Sequence, residues 1–344
     1  MSQHSHNRGK ATMKKFLNNV DHMLTESLTG FATAHADLVE VQFDPAFVTR
    51  KQKAQNKVAI ISGGGSGHEP LHAGYVGKGM LDAACPGQVF TSPTPDQMLA
   101  AAEAVHADKG VLFIVKNYAG DVMNFEMAAE MLPFEHATVY TSDDCAVIHS
   151  TYTTGRRGVA GTVIVEKCVG SLAESGADLV ACKALGDKIN QHTSSIGVAL
   201  TSCTVPAAGR PTFEITDTEL EMGVGIHGEP GRRRESMREA DAIVADMVAA
   251  IVHDLELKQL PLKGEVLLLV NGLGATPLME LYVIYNTAAR LLKEKGVSVT
   301  RSLVGNYITA IDMAGASITV CLLDDDIKQH WDSPVHTAGL RWGM

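Results

Sequence analysis

The sequence predicts an α/β protein: two α/β domains with mostly parallel or mixed sheets and crossover helices. Three observations carry this. Its 344 residues amount to about two domains. From about residue 57, short β-branched or apolar runs alternate with longer helical stretches, the pattern of strands joined by crossovers. Gly and Pro punctuate the junctions.

Taken in order, residues 58–61 predict a first strand, followed by the glycine cluster Gly63, Gly64, Gly65 and Gly67. Residues 88–90 predict a short second strand. It leads into Thr94, Pro95, Asp96 and Gln97. Here Thr94 can cap a helix, Pro95 suits the first helical position and Gln97 completes a capping box. That helix runs through Ala107 and stops near Gly110, 111–115 is a third strand, and 117–120 is a loop. A helix through Phe125, Met127, Ala128 and Met131 follows, and 137–141 restores the strand pattern. A second series begins after about residue 192, with strands over 196–200, 212–215 and 219–222 and an amphipathic helix over 236–253. Then come a strand over 266–270, a long helix over 278–295, and strands over 297–303 and 317–323. The expected division is a disordered extension over 1–12, an N-terminal domain over 13–192 with the Gly-rich loop, and a C-terminal domain over 193–344.

Charge and composition exclude several function classes. With 29 Lys and Arg against 39 Asp and Glu, the net charge is -10, and no basic cluster offsets it. Nucleic acid and anionic membrane are therefore not expected partners. The longest apolar strings, such as 266–270, fall far short of the roughly 20 residues that span a bilayer. The N-terminus carries no apolar stretch and reads as no secretory signal. Cys85, Cys145, Cys168, Cys182, Cys203 and Cys321 form no CxxC pair. Reduced, buried thiols in the cytoplasm are the expectation.

In an open parallel sheet, ligands bind beyond the carboxyl ends of the strands. His68 falls just after the first predicted strand, Ser92 after the second, and Lys116 with Asp121 after the third. Each alone is as well read as a capping or solvated residue, and it is their coincidence that predicts a site. The cluster Gly63-Gly64-Gly65-Ser66-Gly67 lets the backbone approach a small ligand and aim N–H groups at it. It is not a P-loop, because no Lys precedes a Ser or Thr as GxxxxGK[ST] requires. GxGxxG occurs at Gly223, Gly225 and Gly228, but Glu229, Pro230 and Gly231 follow where a helix should propagate. No nucleotide site is expected in this chain.

His68-Glu69-Pro70-Leu71-His72 matches HExxH literally, so a zinc peptidase is the alternative from a different class. That chemistry needs both imidazoles on one face of a continuous helix. Here glycines precede and Pro70 sits between the ligands, reading as the first residue of a helix that leaves His68 outside, so no metal is expected. His227, between Gly225 and Gly228, has an imidazole uncrowded by its neighbours. A neutral imidazole nitrogen is a competent nucleophile toward a ketone or aldehyde carbon. The bland reading is a loop histidine in solvent. Arg232, Arg233 and Arg234 read as a solvated run.

SGGGSGHEP at 62–70, CPG at 85–87, FTSPTPD at 90–96, KNYAGD at 116–121, GRRGVA at 155–160, CTVPAAG at 203–209, GVGIHGEPG at 223–231 and GATPL at 274–278 closely resemble the K subunit of dihydroxyacetone kinases. The likeness runs over 13–344. The resemblance implies a homodimer and a hemiaminal between the substrate carbonyl carbon and His227. It implies Asp121 as the base on the hydroxyl to be phosphorylated and His68 as its acid/base partner. Gly65, Ser66, Gly67, Ser92 and Lys116 would hold the substrate. An ordinary carboxylate is a weak base, so burial or hydrogen bonding is expected to keep Asp121 aimed.

A kinase needs Mg²⁺-binding carboxylates and a cradle for the phosphates, and no additional domain that would supply them is expected in this chain. The resemblance therefore implies the type dependent on the phosphotransferase system. A separate L subunit would hold ADP or ATP with Mg²⁺, and an M subunit would recharge it. The competing reading is a regulatory paralogue, a coactivator of a transcription factor that binds the ketone without transferring phosphate. It needs only His227 and a pocket, whereas transfer needs Asp121 and His68 as well, and all three are present.

Overall fold

The computed structural model describes residues 14–147 and 155–344. The extension expected over 1–12 lies outside them. Two six-stranded sheets form the scaffold. At the centre of the first is Ala59–Ser66, paired in parallel with Ala83–Val89 on one side and Val111–Lys116 on the other. His136–Thr141 extends the sheet in parallel, and the hairpin Val39–Phe43 with Ala46–Arg50 closes its other end antiparallel to Ala83–Val89.

The period of two along a strand decides which layer each side chain joins. Ile60, Leu112 and Ile114 enter one core, whereas Ile61, Val111, Phe113 and Val115 enter the opposite one. The second of these packs against the helices Pro95–Val105 and Ala119–Met131 through Met98, Ala101, Ala102, Phe125 and Ala128. Pro95–Val105 begins with the predicted capping box, Thr94 N–H donating to Gln97 Oε1 at 2.9 Å. The first core packs against Gly161–Glu174 and Leu179–His192 through Val163, Ile164, Val169, Leu185 and Ile189.

In the second sheet the order is Arg233–Ser236, Glu219–Met222, Thr193–Ala199, Gly315–Leu323, Gly264–Gly272, Val297–Gly305. Only its last pair is parallel, joined by the helix Leu278–Glu294. Leu267 and Leu269 face the core shared with the helices 161–192, while Val266, Leu268 and Val270 face Met247 and Ile251 of Ala240–Leu257. A helix pair thus lies between the two sheets and contacts both. Gly161–Glu174 is buried along nearly its whole length, the polar Thr162, Glu166, Lys167 and Ser171 included.

The chain's end returns to the first half: the helix Asp325–Asp332 packs on Gly161–Glu174, and Val335–Thr337 pairs with Gly77–Lys78. Among the described residues, no helix is long and apolar enough to cross a membrane.

Several boundaries differ from those expected. The first strand does not stop at Ile61 but runs through the glycines to Ser66. Residues 212–215 form no strand, since the short hairpin there pairs Thr204–Val205 with Arg210–Pro211. Asp121 sits in the first turn of Ala119–Met131 rather than past a loop. No α-helix begins at Pro70, and only the short 3₁₀ turn Ala73–Tyr75 follows. Arg232 is no idle member of a solvated run, because its guanidinium donates to the carbonyls of Ala146 and Cys145. Arg233 and Arg234 pair with Glu235, Asp246 and Glu221.

Candidate active site

The ends of the first sheet's strands meet a loop of the second half around a cavity of about 480 Å³. Gly65, Ser92 and Asp121 line it from the first half and His227 and Glu229 from the second, with Phe90, Tyr118 and Phe213 as aromatic walls. His68 joins from behind Phe90. The rings of His68 and Phe90 stack at 4.9 Å, and the His227 ring stands edge-on to His68 at 4.7 Å, to Tyr118 at 4.7 Å and to Phe90 at 5.1 Å. Three aromatic neighbours therefore fix the plane of an imidazole that the sequence alone places in a glycine-rich loop.

Each histidine has its tautomer set by a partner. His227 Nδ1 lies 2.8 Å from Glu229 Oε1, and Glu229 Oε2 accepts from the His227 backbone N–H at 3.0 Å. A carboxylate can only accept, so Nδ1 carries a proton, and in the neutral ring Nε2 keeps its lone pair. Gly225 makes room for this: a Cβ there would stand 1.9 Å from Glu229 Oε2. The loop is anchored from below by Arg157, which bonds both Asp144 and the Gly223 carbonyl.

His68 donates Nδ1–H to the Thr309 carbonyl at 2.7 Å. Burial drives its imidazole well below the ordinary value, and the nearby His227 and Lys116 add to the effect. It is thus a neutral ring with an accepting Nε2. The segment around Thr309 also receives the glycine loop, with Ile311 N–H donating to the Gly67 carbonyl at 2.9 Å and Thr309 Oγ1 to the Glu69 carbonyl at 2.9 Å.

Three buried polar atoms at this site have no hydrogen-bond partner among the described residues: His68 Nε2, Asp121 Oδ1 and Tyr118 Oη. Unpartnered buried polar atoms are uncommon in native interiors, and here two belong to side chains packed on the His227 ring and the third to a side chain lining the same cavity. Two are acceptors and the third a hydroxyl, a set that suits a small ligand rich in hydroxyl donors.

Of the residues anticipated as substrate contacts, Gly65 and Ser92 line the cavity. Ser66 and Gly67 do not: Ser66 Oγ donates to the Gly87 carbonyl at 2.7 Å, and Gly67 N–H to the Glu69 carboxylate. Lys116 is wholly buried behind Asp121, its Nζ 3.5 Å from Asp121 Oδ2. The HExxH-like segment is no zinc motif in space, since His68 turns toward His227 while His72 turns toward Lys116 and Glu166. Among the described residues no group of three or more His, Cys, Asp or Glu could hold a metal. Phe90, Tyr118, Thr212, Phe213 and Glu229 were not anticipated. Glu229 sits two residues after His227, and that spacing of a carboxylate from an imidazole was the available signal.

The Glu229 contact carries a pH signature. Burial works to raise its carboxyl, but the charge and hydrogen bond of His227, with Arg157 behind, outweigh burial and hold it at about 2, down from 4.5. A folded-state value below the unfolded one adds stability that is full above the unfolded value and fades as pH falls through the folded one. Glu229→Gln is therefore expected to flatten the stability–pH curve between about 4.5 and about 2, measured as the urea midpoint at each pH.

Fold and site together define a two-sheet α/β protein whose cavity is lined by the His227 imidazole from one half and the Asp121 carboxylate from the other. The chain belongs to the Dak1 domain family, whose model matches residues 29–339. It is 47% identical to the PEP-dependent dihydroxyacetone kinase, dihydroxyacetone-binding subunit DhaK of Escherichia coli, covering 96% of this chain and 100% of that one. It is similar to the dihydroxyacetone kinase of C. freundii solved in complex with AMP-PNP and Mg²⁺, at TM-score 0.84 and 34% identity over 96% of this chain and 61% of that one. A dihydroxyacetone kinase operon co-activator, Dha-DhaQ, superposes at TM-score 0.85 and 33% identity over 91% of this chain and 96% of that one.

Proposed function

We propose that this chain is the dihydroxyacetone-binding subunit of a phosphotransferase-system-dependent dihydroxyacetone kinase. The observation that carries the reading is that His68 and Tyr118, which stand against the His227 ring, and Asp121, which lines the same cavity as that ring, hold buried atoms with no hydrogen-bond partner among the described residues: His68 Nε2, Tyr118 Oη and Asp121 Oδ1. The E. coli relative's name, a dihydroxyacetone-binding subunit, supports it.

In this reading the His227 Nε2 lone pair adds to the ketone carbon and the carbonyl π bond opens. The Nδ1 proton leaves through Glu229 and is relayed by solvent to the new alkoxide, so Glu229 ends as a carboxylate and a neutral hemiaminal forms with no loss of water. Gly65 and Ser92 contact the bound ketone. Asp121, with His68 as its acid/base partner, accepts the proton of the terminal hydroxyl as its oxygen attacks the phosphoryl donor. Glycerol has the same hydroxyls but no carbonyl, so capture rejects it by chemistry where size could not. The bond also orients the reacting hydroxyl.

The donor, ATP with Mg²⁺, would sit on a partner L subunit recharged through an M subunit. The reading includes a homodimer in the cytoplasm, where the six free, buried cysteines stay reduced.

The chain mixed with an L subunit, ATP, Mg²⁺ and dihydroxyacetone is expected to form dihydroxyacetone phosphate. No ester under conditions where a known K subunit works would sink the kinase reading in favour of the co-activator one.

A further inference from the structure

Behind the cavity, four ionisable side chains from separate elements form an unbroken buried run. Asp121 Oδ2 lies 3.5 Å from Lys116 Nζ, Lys116 Nζ 3.0 Å from His72 Nε2, and His72 Nδ1 2.6 Å from Glu166 Oε1. Lys116 and Glu166 are wholly buried, and His72 and Asp121 nearly so. Burying such groups stabilises a fold poorly compared with apolar packing, so the run calls for another explanation.

Donor and acceptor chemistry supplies one. A lysine ammonium only donates, so His72 Nε2 must accept from it, and the His72 proton must reside on Nδ1. Two acceptors face Nδ1: Glu166 Oε1, and Ser62 Oγ at 2.9 Å, whose own hydrogen goes to the Ile114 carbonyl at 2.7 Å. The opposite tautomer would set two N–H groups against each other. Burial, with Lys116 and then His68 beside it, keeps the imidazole well below its ordinary value and so neutral. Burial also lifts the Glu166 carboxyl to about 8, with the Ser62 hydroxyl and the Lys116 charge pulling the other way, and burial with the Glu166 charge raises the Tyr75 phenol. Lys116 is held closely from the other side, because a Cβ at Gly64 would stand 2.3 Å from its Nζ.

We propose that His72, its tautomer fixed by Ser62 and Glu166, is a positioning residue for phosphoryl transfer: it fixes Lys116, and Lys116 fixes the Asp121 carboxylate with Oδ1 facing the substrate. The proposal rests on Asp121 acting as the base in the reading above. It separates two steps of the reaction. Capture of the ketone on His227 does not pass through this run, whereas proton removal by Asp121 does.

The test compares His72→Phe with His72→Gln in the full chain, supplied with an ATP-loaded L subunit and dihydroxyacetone. His72→Phe offers Lys116 no acceptor, and kcat is expected to fall at least about tenfold. The KM for dihydroxyacetone and the His227 adduct, read by native mass spectrometry, should stay as in the unmodified chain. His72→Gln places an amide oxygen near the Nε2 position and should recover most of kcat. A merely structural role would lower adduct and kcat together and treat both variants alike. Wild-type kcat in His72→Phe, or equal losses in both variants, would overturn the proposal while the adduct persists. No adduct in the unmodified chain would instead overturn the ketone-capture reading and this proposal with it.

Discussion

His227→Gln is expected to abolish the ketone adduct and to lower turnover by at least roughly 1,000-fold, because the substitution removes both the nucleophile and the tether that orients the reacting hydroxyl. The ring it removes is the one that His68, Phe90 and Tyr118 surround at 4.7 to 5.1 Å. Glutamine keeps a polar group of similar length, so the fold is expected to persist. Discrimination should fail along with capture: dihydroxyacetone and glycerol, distinguished in the unmodified chain by a covalent bond, would compete on hydroxyl contacts alone. Native mass spectrometry reads the adduct, and titration calorimetry with each ligand reads the discrimination. An intact adduct in the variant would place the nucleophile elsewhere.

Asp121→Asn should separate capture from transfer. The amide occupies the same volume but cannot take a proton from the substrate hydroxyl, and loss of a general base costs about 10²–10⁴-fold in kcat. The adduct on His227 is expected to survive, since the Glu229 carboxylate that orients that ring lies on the other wall of the cavity. The variant also leaves buried Lys116 facing a neutral amide where it had a carboxylate at 3.5 Å, so some loss of stability should accompany the kinetic effect. If Asp121→Asn kept most of the turnover, the base would have to be another group, with His68 the next to examine.

How much of this was legible in the sequence depends on how local each signal is. The capping box at Thr94, Pro95 and Gln97 is contained in four residues, and it forms as read. In the first sheet the strands at 111–116 and 136–141 were found, the hairpin Val39–Phe43 with Ala46–Arg50 went unread, Ala83–Val89 was expected only as 88–90, and the central strand was cut short, because glycines after Ile61 look like a turn. They stay in the strand because Gly63, Gly64 and Gly65 pair with Cys85, Pro86 and Gly87 of the neighbouring strand. The helices 161–192 went unread: burial between two sheets takes the polar Thr162, Glu166, Lys167 and Ser171 of the first into the interior as well, so its polar residues mark no solvent face.

At the site, His68, Asp121 and His227 were readable from residue type and position. Glu229, Phe90 and Tyr118 stood inside the quoted motifs without a role, because pairing and ring contact are properties of space. His72 was visible only as half of a false metal motif. Its partner Glu166 lies 94 residues further on, at a distance where no local pattern can announce a contact.

The sequence by itself determined the α/β class and the types of group available for the chemistry, since periodicity, turn residues and side-chain reactivity are all short-range properties. Only the tertiary structure decided that an imidazole from the second half meets the carboxylate of the first across one cavity, and that Lys116 stands behind that carboxylate. Those relations depend on how two sheets pack about a shared helix layer, and burial changes the proton affinity of each group only after that packing exists.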